Sequence, residues 1–260
     1  MIPRVGIVVP TLGQRSDYLE QCLKSIRAAG AAHIVLVAPK TIDANLLKAA
    51  GLVDSVVDDP GVGLAAAINQ GIHSLPESVE YVNWLGDDDL LTPGSLSSSM
   101  DVLGQNPEVV MTFGACDYID SKGNSVWENR SGRWAVPLLR FGPDLVPQPG
   151  ALFRRSIFKA VGGLKIDLGW AFDFDLFIRL SKVGRLHYIN QTLAQFRWHP
   201  ESLSVEHRKK SVAEASWVRV SHLPVVLRPI SFLWEYPVRQ ATLIAGMRVT
   251  AKAQSKAKTK

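Results

Sequence analysis

The sequence predicts an α/β fold with a mostly parallel central sheet flanked by helices. Short apolar, β-branched runs recur through the first 113 residues, and most are followed by a segment with helical apolar spacing. The connections between them carry Gly, Pro and Asp and are too long for the two-residue turns of hairpins. Such alternation argues for βαβ units, with helices covering both faces of the sheet.

Residues 5–9 form the first expected strand, ended by Pro10. Ser16-Asp17 opens an amphipathic helix in which Tyr18, Leu19, Cys22, Leu23 and Ile26 recur at helical spacing, and Gly30 closes it. Strands are expected at 34–37 and 55–57, with a short helix over 46–50 between them. A helix at 64–72, a strand at 81–85, an acid-rich loop, a helix at 95–103 and a strand at 109–113 complete the regular part. The second half is less regular. A hairpin turn is expected at 120–124, a strand at 151–153, a helix at 172–183, and two short strands at 186–189 and 193–196. In open α/β sheets ligands bind beyond the carboxyl ends of the strands, so the loops after Val9, Val57 and Leu85 should meet in one crevice.

A chain of 260 residues with 47% hydrophobic content can bury one large core, read here as one main domain and a tail. Only two cysteines, Cys22 and Cys116, are present, which excludes a disulfide framework or a multi-thiolate metal site and fits a reducing cytoplasm. The first residues lack the pattern of a signal peptide, and no apolar run reaches the roughly 18 to 20 residues that span a bilayer. Charge is uneven. Residues 1–204 hold 18 Lys and Arg against 21 Asp and Glu, while 205–260 hold 11 against 3, so the two parts stand at −3 and +8. No basic patch interleaved with aromatics occurs in the first 204 residues, so nucleic acid is not an expected partner. In the tail, Trp217, Val218, Leu223, Val225, Val226, Phe232, Leu233, Trp234 and Tyr236 alternate with Arg219, Arg228, Arg239 and Arg248. That pattern suits peripheral contact with the anionic inner face of a membrane, or docking on the chain's own domain or another subunit. Residues 251–260 are rich in Lys and Ala and are expected to be disordered.

Gly86-Asp87-Asp88-Asp89 follows the apolar strand Tyr81-Val82-Asn83-Trp84-Leu85. Adjacent carboxylates repel unless a cation or water lies between them. Oxygen ligands at a strand end suit Mg²⁺ or Mn²⁺, which typically take one or two protein carboxylates and fill the remaining positions with water and substrate phosphates. The alternative is a solvated acidic turn before the next helix.

The runs Val5-Gly6-Ile7-Val8-Val9-Pro10-Thr11, Gly63-Leu64-Ala65-Ala66-Ala67-Ile68-Asn69-Gln70-Gly71-Ile72 and Trp84-Leu85-Gly86-Asp87-Asp88-Asp89 resemble, in order, the motif series of family 2 glycosyltransferases with the GT-A fold. Asp173-Phe174-Asp175-Leu176-Phe177-Ile178-Arg179-Leu180 is similar to that family's "ED..LW.RL" helix, and Phe196-Arg197-Trp198-His199-Pro200 to its "Y-R-x-H-P" strand end. Two positions depart from the pattern. The acidic pair usual after the second strand is replaced by Val37-Ala38-Pro39-Lys40, and Phe172 stands where many members have Glu.

The resemblance implies a GT-A domain over residues 1–204, with a nucleotide-sugar half at 1–112, an acceptor half at 113–204, and a basic, partly helical extension at 205–260. It implies an inverting, hexosyltransferase-type enzyme that moves a sugar from a nucleoside diphosphate to an acceptor hydroxyl of a glycan or glycolipid, in cell-surface assembly. Pro10, Thr11, Gly63, Asn69, Asp87, Asp88 and Arg197 would bind the nucleotide sugar; Asp88, Asp89 and His199 would hold Mn²⁺ or Mg²⁺. Asp173 would be the catalytic base, with Gln148 and Asp175 on the acceptor side. Asp175 and Arg179 also have the spacing of a helical ion pair, and Asp173 that of a helix cap. Gly61-x-Gly63-x-x-Ala66 mimics a dinucleotide fingerprint but follows the third strand rather than the first, so close packing is its expected purpose. A metal-dependent sugar nucleotidyltransferase, an oxidoreductase and a nonenzymatic nucleotide-sugar binder are the alternatives.

Overall fold

A computed structural model describes residues 4–42, 47–48, 50–198 and 207–258. In chain order the elements are β1 (Val5–Pro10), α1 (Ser16–Ala29), β2 (Ala32–Ala38), β3 (Ser55–Asp58), α2 (Leu64–Ser74), β4 (Tyr81–Trp84), β5 (Leu90–Leu91), α3 (Ser95–Gln105), β6 (Val109–Ile119) and β7 (Ser125–Asn129). They continue with α4 (Ala135–Leu138), β8 (Leu152–Arg154), α5 (Arg155–Ala160), α6 (Phe172–Leu180), β9 (Arg185–Arg197), α7 (Arg208–His222) and α8 (Phe232–Lys258). Short 3₁₀ turns lie at Gly132–Trp134 and Val225–Ile230. The sheet order is β3-β2-β1-β4-β8-β6-β9-β5, with β7 paired to β6.

Strands β1 to β4 are parallel, as are β6 and β9, whereas β5, β7 and β8 join antiparallel. The period-2 alternation of β1 and β2 builds two cores. Val5, Ile7, Val9, Ile34 and Leu36 pack beneath α1 and α3, while Val8, Val35 and Val37 pack beneath α2 and share a core with α6. Helix α2 lies close to the sheet because Gly71 has no side chain: a Cβ there would come within 2.4 Å of Val8. Close packing was the purpose expected of Gly61 and Gly63, and their environment is different. Both have positive φ, 69° and 111°, with open space around them, so they shape the backbone before α2.

The irregular half departs further from expectation. Strand β6 continues past Phe113 to Ile119, and β9 is one strand of 13 residues where two short ones are expected. The polar pair Asn190-Gln191, which reads as a break, lies where the β6–β9 register shifts. Opposite it, Gly114 leaves room for the Gln191 carbonyl, which would lie 2.5 Å from a Cβ. Helix α6 ends at Leu180 rather than Val183, its last residues closing in tight turns onto Arg179 and Leu180 carbonyls. Helix α8 runs to Lys258, through the Lys- and Ala-rich stretch expected to be disordered; both residue types favour helix.

Helix α7 lies against α6, with Val218 fully buried in the core that holds Phe174 and Leu176. Among the described residues no helix is long and apolar enough to cross a membrane.

Candidate active site

The loops after β1, β3 and β4 converge at the carboxyl edge of the sheet, where they line a cavity of about 750 Å³. The opposite wall comes from the second half of the chain, through residues 144–149 and 170–173 and the aromatic side chains of Tyr118, Phe196 and Trp198. Trp84, stacked on Phe153, forms part of the wall at the end of β4.

The acidic triplet is held by a network from three elements. Thr11 donates its hydroxyl to Asp87 at 2.6 Å, and Arg15 reaches Asp87 at 3.1 Å and Asp88 at 3.2 Å. Asp89 is buried and accepts the Arg197 backbone N–H at 2.9 Å. Burial and the neighbouring Asp88 push the Asp89 carboxyl well above its ordinary range, against the pull of that hydrogen bond. The Arg197 guanidinium is also buried. It donates to the Asp88 carbonyl at 2.9 Å and to Gln21 at 3.0 Å, and lies over the Tyr18 ring at 4.2 Å. Arg197 therefore supports the triplet from beneath and is not part of the cavity wall.

The triplet loop suits a divalent cation in one respect. A Cβ on Gly86 would lie 2.9 Å from Asp88 Oδ1 and 3.1 Å from Asp89 Oδ2, so two hard oxygens face one small space that only glycine leaves open. No group of three His, Cys, Asp or Glu side chains is gathered for a metal among the described residues, so a cation here would need ligands beyond those acids. His199, the third expected ligand, lies outside the described residues.

Two acids separated by one residue on α6 have opposite environments. Asp173 lines the cavity; burial pushes its pKa up to about 6, against the Phe174 N–H that it accepts at 2.8 Å. Asp175 faces away from the cavity and is 1% exposed. Burial favours its neutral form, but hydrogen bonds from His222 and Lys165 and the charge of Arg179 hold its carboxyl well below the usual range. The three contacts measure 2.8, 2.8 and 2.7 Å. Asp175 makes the helical ion pair with Arg179 that its spacing predicts, and it does not line the cavity.

Pro10, Thr11, Gly63, Asp87, Asp88, Asp89, Gln148 and Asp173 all line the cavity. Gln148 is fixed there by donating to Asn83 Oδ1 at 3.0 Å and to the Trp84 carbonyl at 2.9 Å. Asn69 is turned away, bonding both the carbonyl and the N–H of Leu164 at 2.8 and 2.9 Å, and so ties α2 to the loop before α6. Three further charged residues of the cavity wall, Arg15, Asp59 and Asp144, are not among the expected site residues. Burial and then the Asp173 charge push the Asp144 carboxyl up; its Oδ1 accepts the Val146 N–H at 3.1 Å. Gly142-Pro143-Asp144 reads locally as a turn, and nothing in its spacing points to a cavity.

No family model matches the chain. An uncharacterized glycosyltransferase of Rickettsia conorii is 28% identical over 150 residues, covering 54% of this chain and 24% of the relative. An uncharacterized protein of Sinorhizobium fredii is 24% identical over 265 residues, covering 94% of this chain and 29% of that protein. The chain thus spans about a quarter of the length of these curated relatives. Among solved structures, S. aureus TarS (residues 1–349) superposes with a TM-score of 0.62 at 14% identity, covering 91% of this chain and 71% of that one. Mannosyltransferase PcManGT from Pyrobaculum calidifontis, in complex with GDP-Man and Mn²⁺, superposes at 0.61 with 17% identity, covering 100% of this chain and 81% of that one. The fold is GT-A.

Proposed function

We propose that the chain is an inverting glycosyltransferase of family 2 type, dependent on Mn²⁺ or Mg²⁺, that transfers a sugar from a nucleoside diphosphate to a glycan or glycolipid hydroxyl. The observation that carries this reading is one cavity with an acidic strand end on one wall and Asp173, a carboxyl with a pKa near 6, on another. TarS has been solved with UDP-GlcNAc and PcManGT with GDP-Man and Mn²⁺, which supports a nucleotide-sugar donor.

Asp88 and Asp89 would hold the cation and Asp87 the donor's ribose or diphosphate, with Pro10, Thr11 and Gly63 bordering the nucleotide. The cation would act as Lewis acid on the leaving diphosphate. Asp173 takes the proton of the acceptor hydroxyl as its oxygen bonds to the anomeric carbon and the bond to the diphosphate breaks on the opposite face. Gln148, anchored to β4, would orient the acceptor. A pKa near 6 leaves Asp173 ionised at neutral pH and basic enough to take a proton.

The C-terminal segment supports a site at the inner face of a membrane. Val225, Val226, Phe232, Leu233 and Tyr236 are each more than 60% exposed, close in sequence to Arg228 and Arg239.

A panel of nucleotide sugars with Mn²⁺, read by thermal shift and then by release of nucleoside diphosphate, tests the activity. Stabilisation by one nucleotide family with turnover is the expected result; binding without any release of nucleoside diphosphate would overturn the enzymatic reading. Asp88→Asn should lose Mn²⁺-dependent nucleotide affinity, and wild-type affinity in that variant would remove Asp88 from the metal site.

A further inference from the structure

Helix α6 begins at Phe172 after Ala171, which has no side chain able to cap it. The acceptor that is missing locally arrives from the C-terminal segment. Glu214 of α7 takes the backbone N–H groups of Gly169, Trp170 and Ala171 at 3.0, 2.6 and 2.6 Å. One carboxylate thus fixes three consecutive amides immediately before the first turn of the helix that carries Asp173, where negative charge is also favoured by the helix dipole.

Five residues along α7, Arg219 holds the other carboxylate-bearing segment. Its Nη1 donates to the Gly142 carbonyl at 2.8 Å, two residues before Asp144, and its guanidinium lies 5.6 Å from the centre of the Phe174 ring. Arg219 is 3% exposed and is neutralised by Glu235 of α8 through contacts of 2.6 and 2.8 Å. Val218, between the two holding residues, is fully buried in the core beside α6.

We propose that α7 is a positioning element of the active site: Glu214 holds the start of α6 and Arg219 holds the loop of Asp144, so that one helix fixes these two of the cavity's carboxylates relative to each other. Glu214 is the positioning residue for Asp173, an inference that rests on Asp173 as the base. The acids facing Asp173 are Glu214 from α7 and Asp144 from the loop before β8, and the Arg219 charge opposes the rise at Asp144. The Glu214 charge raises the Asp173 pKa, so removing it lets Asp173 ionise at lower pH.

The test is Glu214→Gln in the full chain. The Asp173 carboxyl is followed by ¹³C NMR titration without metal, and kcat and KM are measured with UDP-N-acetylglucosamine and GDP-mannose in Mn²⁺. The Asp173 midpoint should move down from about 6, with kcat falling on the order of 10- to 10²-fold and donor KM unchanged. Amide exchange at residues 169–171 should also quicken. Glu214→Asp, which keeps the charge on a shorter stem, should hold the midpoint nearer its wild-type value and serves as the test if Glu214→Gln does not fold. An unmoved midpoint in Glu214→Gln, or unchanged amide protection at 169–171 in whichever variant folds, would overturn the proposal. Failure of the base reading looks different: Asp173→Asn would then turn over donor at the wild-type rate, whatever Glu214→Gln does to the titration.

Discussion

Two of the acid-bearing regions at the cavity, the triplet after β4 and the start of α6, are stabilised in opposite ways. At the triplet, two guanidinium groups lie close to the acids: Arg15 bonds Asp87 and Asp88, and Arg197 bonds the Asp88 carbonyl while its backbone holds Asp89. At α6 the cations gather around Asp175, while the charged groups that bear on Asp173 are other acids, Glu214 and Asp144. A carboxylate paired with guanidinium is suited to binding, since it can exchange one cation for another. A buried acid whose charged neighbours are other acids is suited to proton transfer, because its two protonation states are close in free energy near neutral pH.

The largest effect that would separate the two regions is on chemistry. Asp173→Asn should lose on the order of 10² to 10⁴ in turnover with Mn²⁺-dependent nucleotide affinity retained, whereas Asp175→Asn should transfer sugar in proportion to its folded fraction. If the Asp175 variant is the dead one and the Asp173 variant is active, the two roles are reversed.

Stability should show the converse. Asp175 is buried against Lys165, Arg179 and His222, and removing one partner of a buried ionic cluster costs about 3 to 5 kcal/mol. Urea unfolding at pH 7 should therefore place Asp175→Asn well below wild type, with Asp173→Asn at or above it. Equal midpoints for the two variants would dissolve the distinction.

The pH dependence sharpens it. The folded Asp173 pKa of about 6 lies above its unfolded value of 3.8, so between these limits the folded protein binds more protons than the unfolded chain. Its contribution to stability is thus greatest below about pH 4 and declines as pH rises through 6, by about 3 kcal/mol. The Asp175 pKa is depressed, so its contribution is present above the unfolded value and is lost on acidification. The advantage of Asp173→Asn over wild type should accordingly grow between pH 4.5 and 7, and a constant difference would argue against a raised Asp173 pKa.

The smallest effect belongs to Arg15. It is 28% exposed, so its pairing with Asp87 and Asp88 contributes about 1 kcal/mol or less. Arg15→Gln should raise the Mn²⁺ affinity of the nucleotide-free protein a few-fold by calorimetry, and weaker Mn²⁺ binding would mean that the guanidinium does not compete for that space.

Most of the regular half was legible because its elements carry their own signals, β-branched runs, helical spacing, and glycines before α2, while the helix expected at 46–50 falls in part outside the described residues. Strands β5 and β7 and the continuity of β6 and β9 were not, since two-residue strands and bulged strands are defined by partners far along the chain. The site divides similarly. The triplet announces itself as three adjacent acids, and eight of the expected residues line the cavity. Asn69, Asp175 and Arg197 stand in motifs that resemble those of a family, but their side chains are taken up by Leu164, His222 and Gln21, at separations of 95, 47 and 176 residues. Asp144 and Glu214 are ordinary acids in sequence. They acquire meaning only when α7 folds back onto α6.

That fold-back has a consequence for the order in which the protein is made. The sheet, the triplet and Asp173 all leave the ribosome before Glu214, which follows Asp173 by 41 residues, roughly 2 to 8 seconds of synthesis. A chain interrupted in that interval has the acidic triplet and Asp173 but lacks the carboxylate that ties down the turn before α6. Because α7 is made after all the residues that line the cavity, the hold on the turn before α6 is completed only after the cavity wall itself.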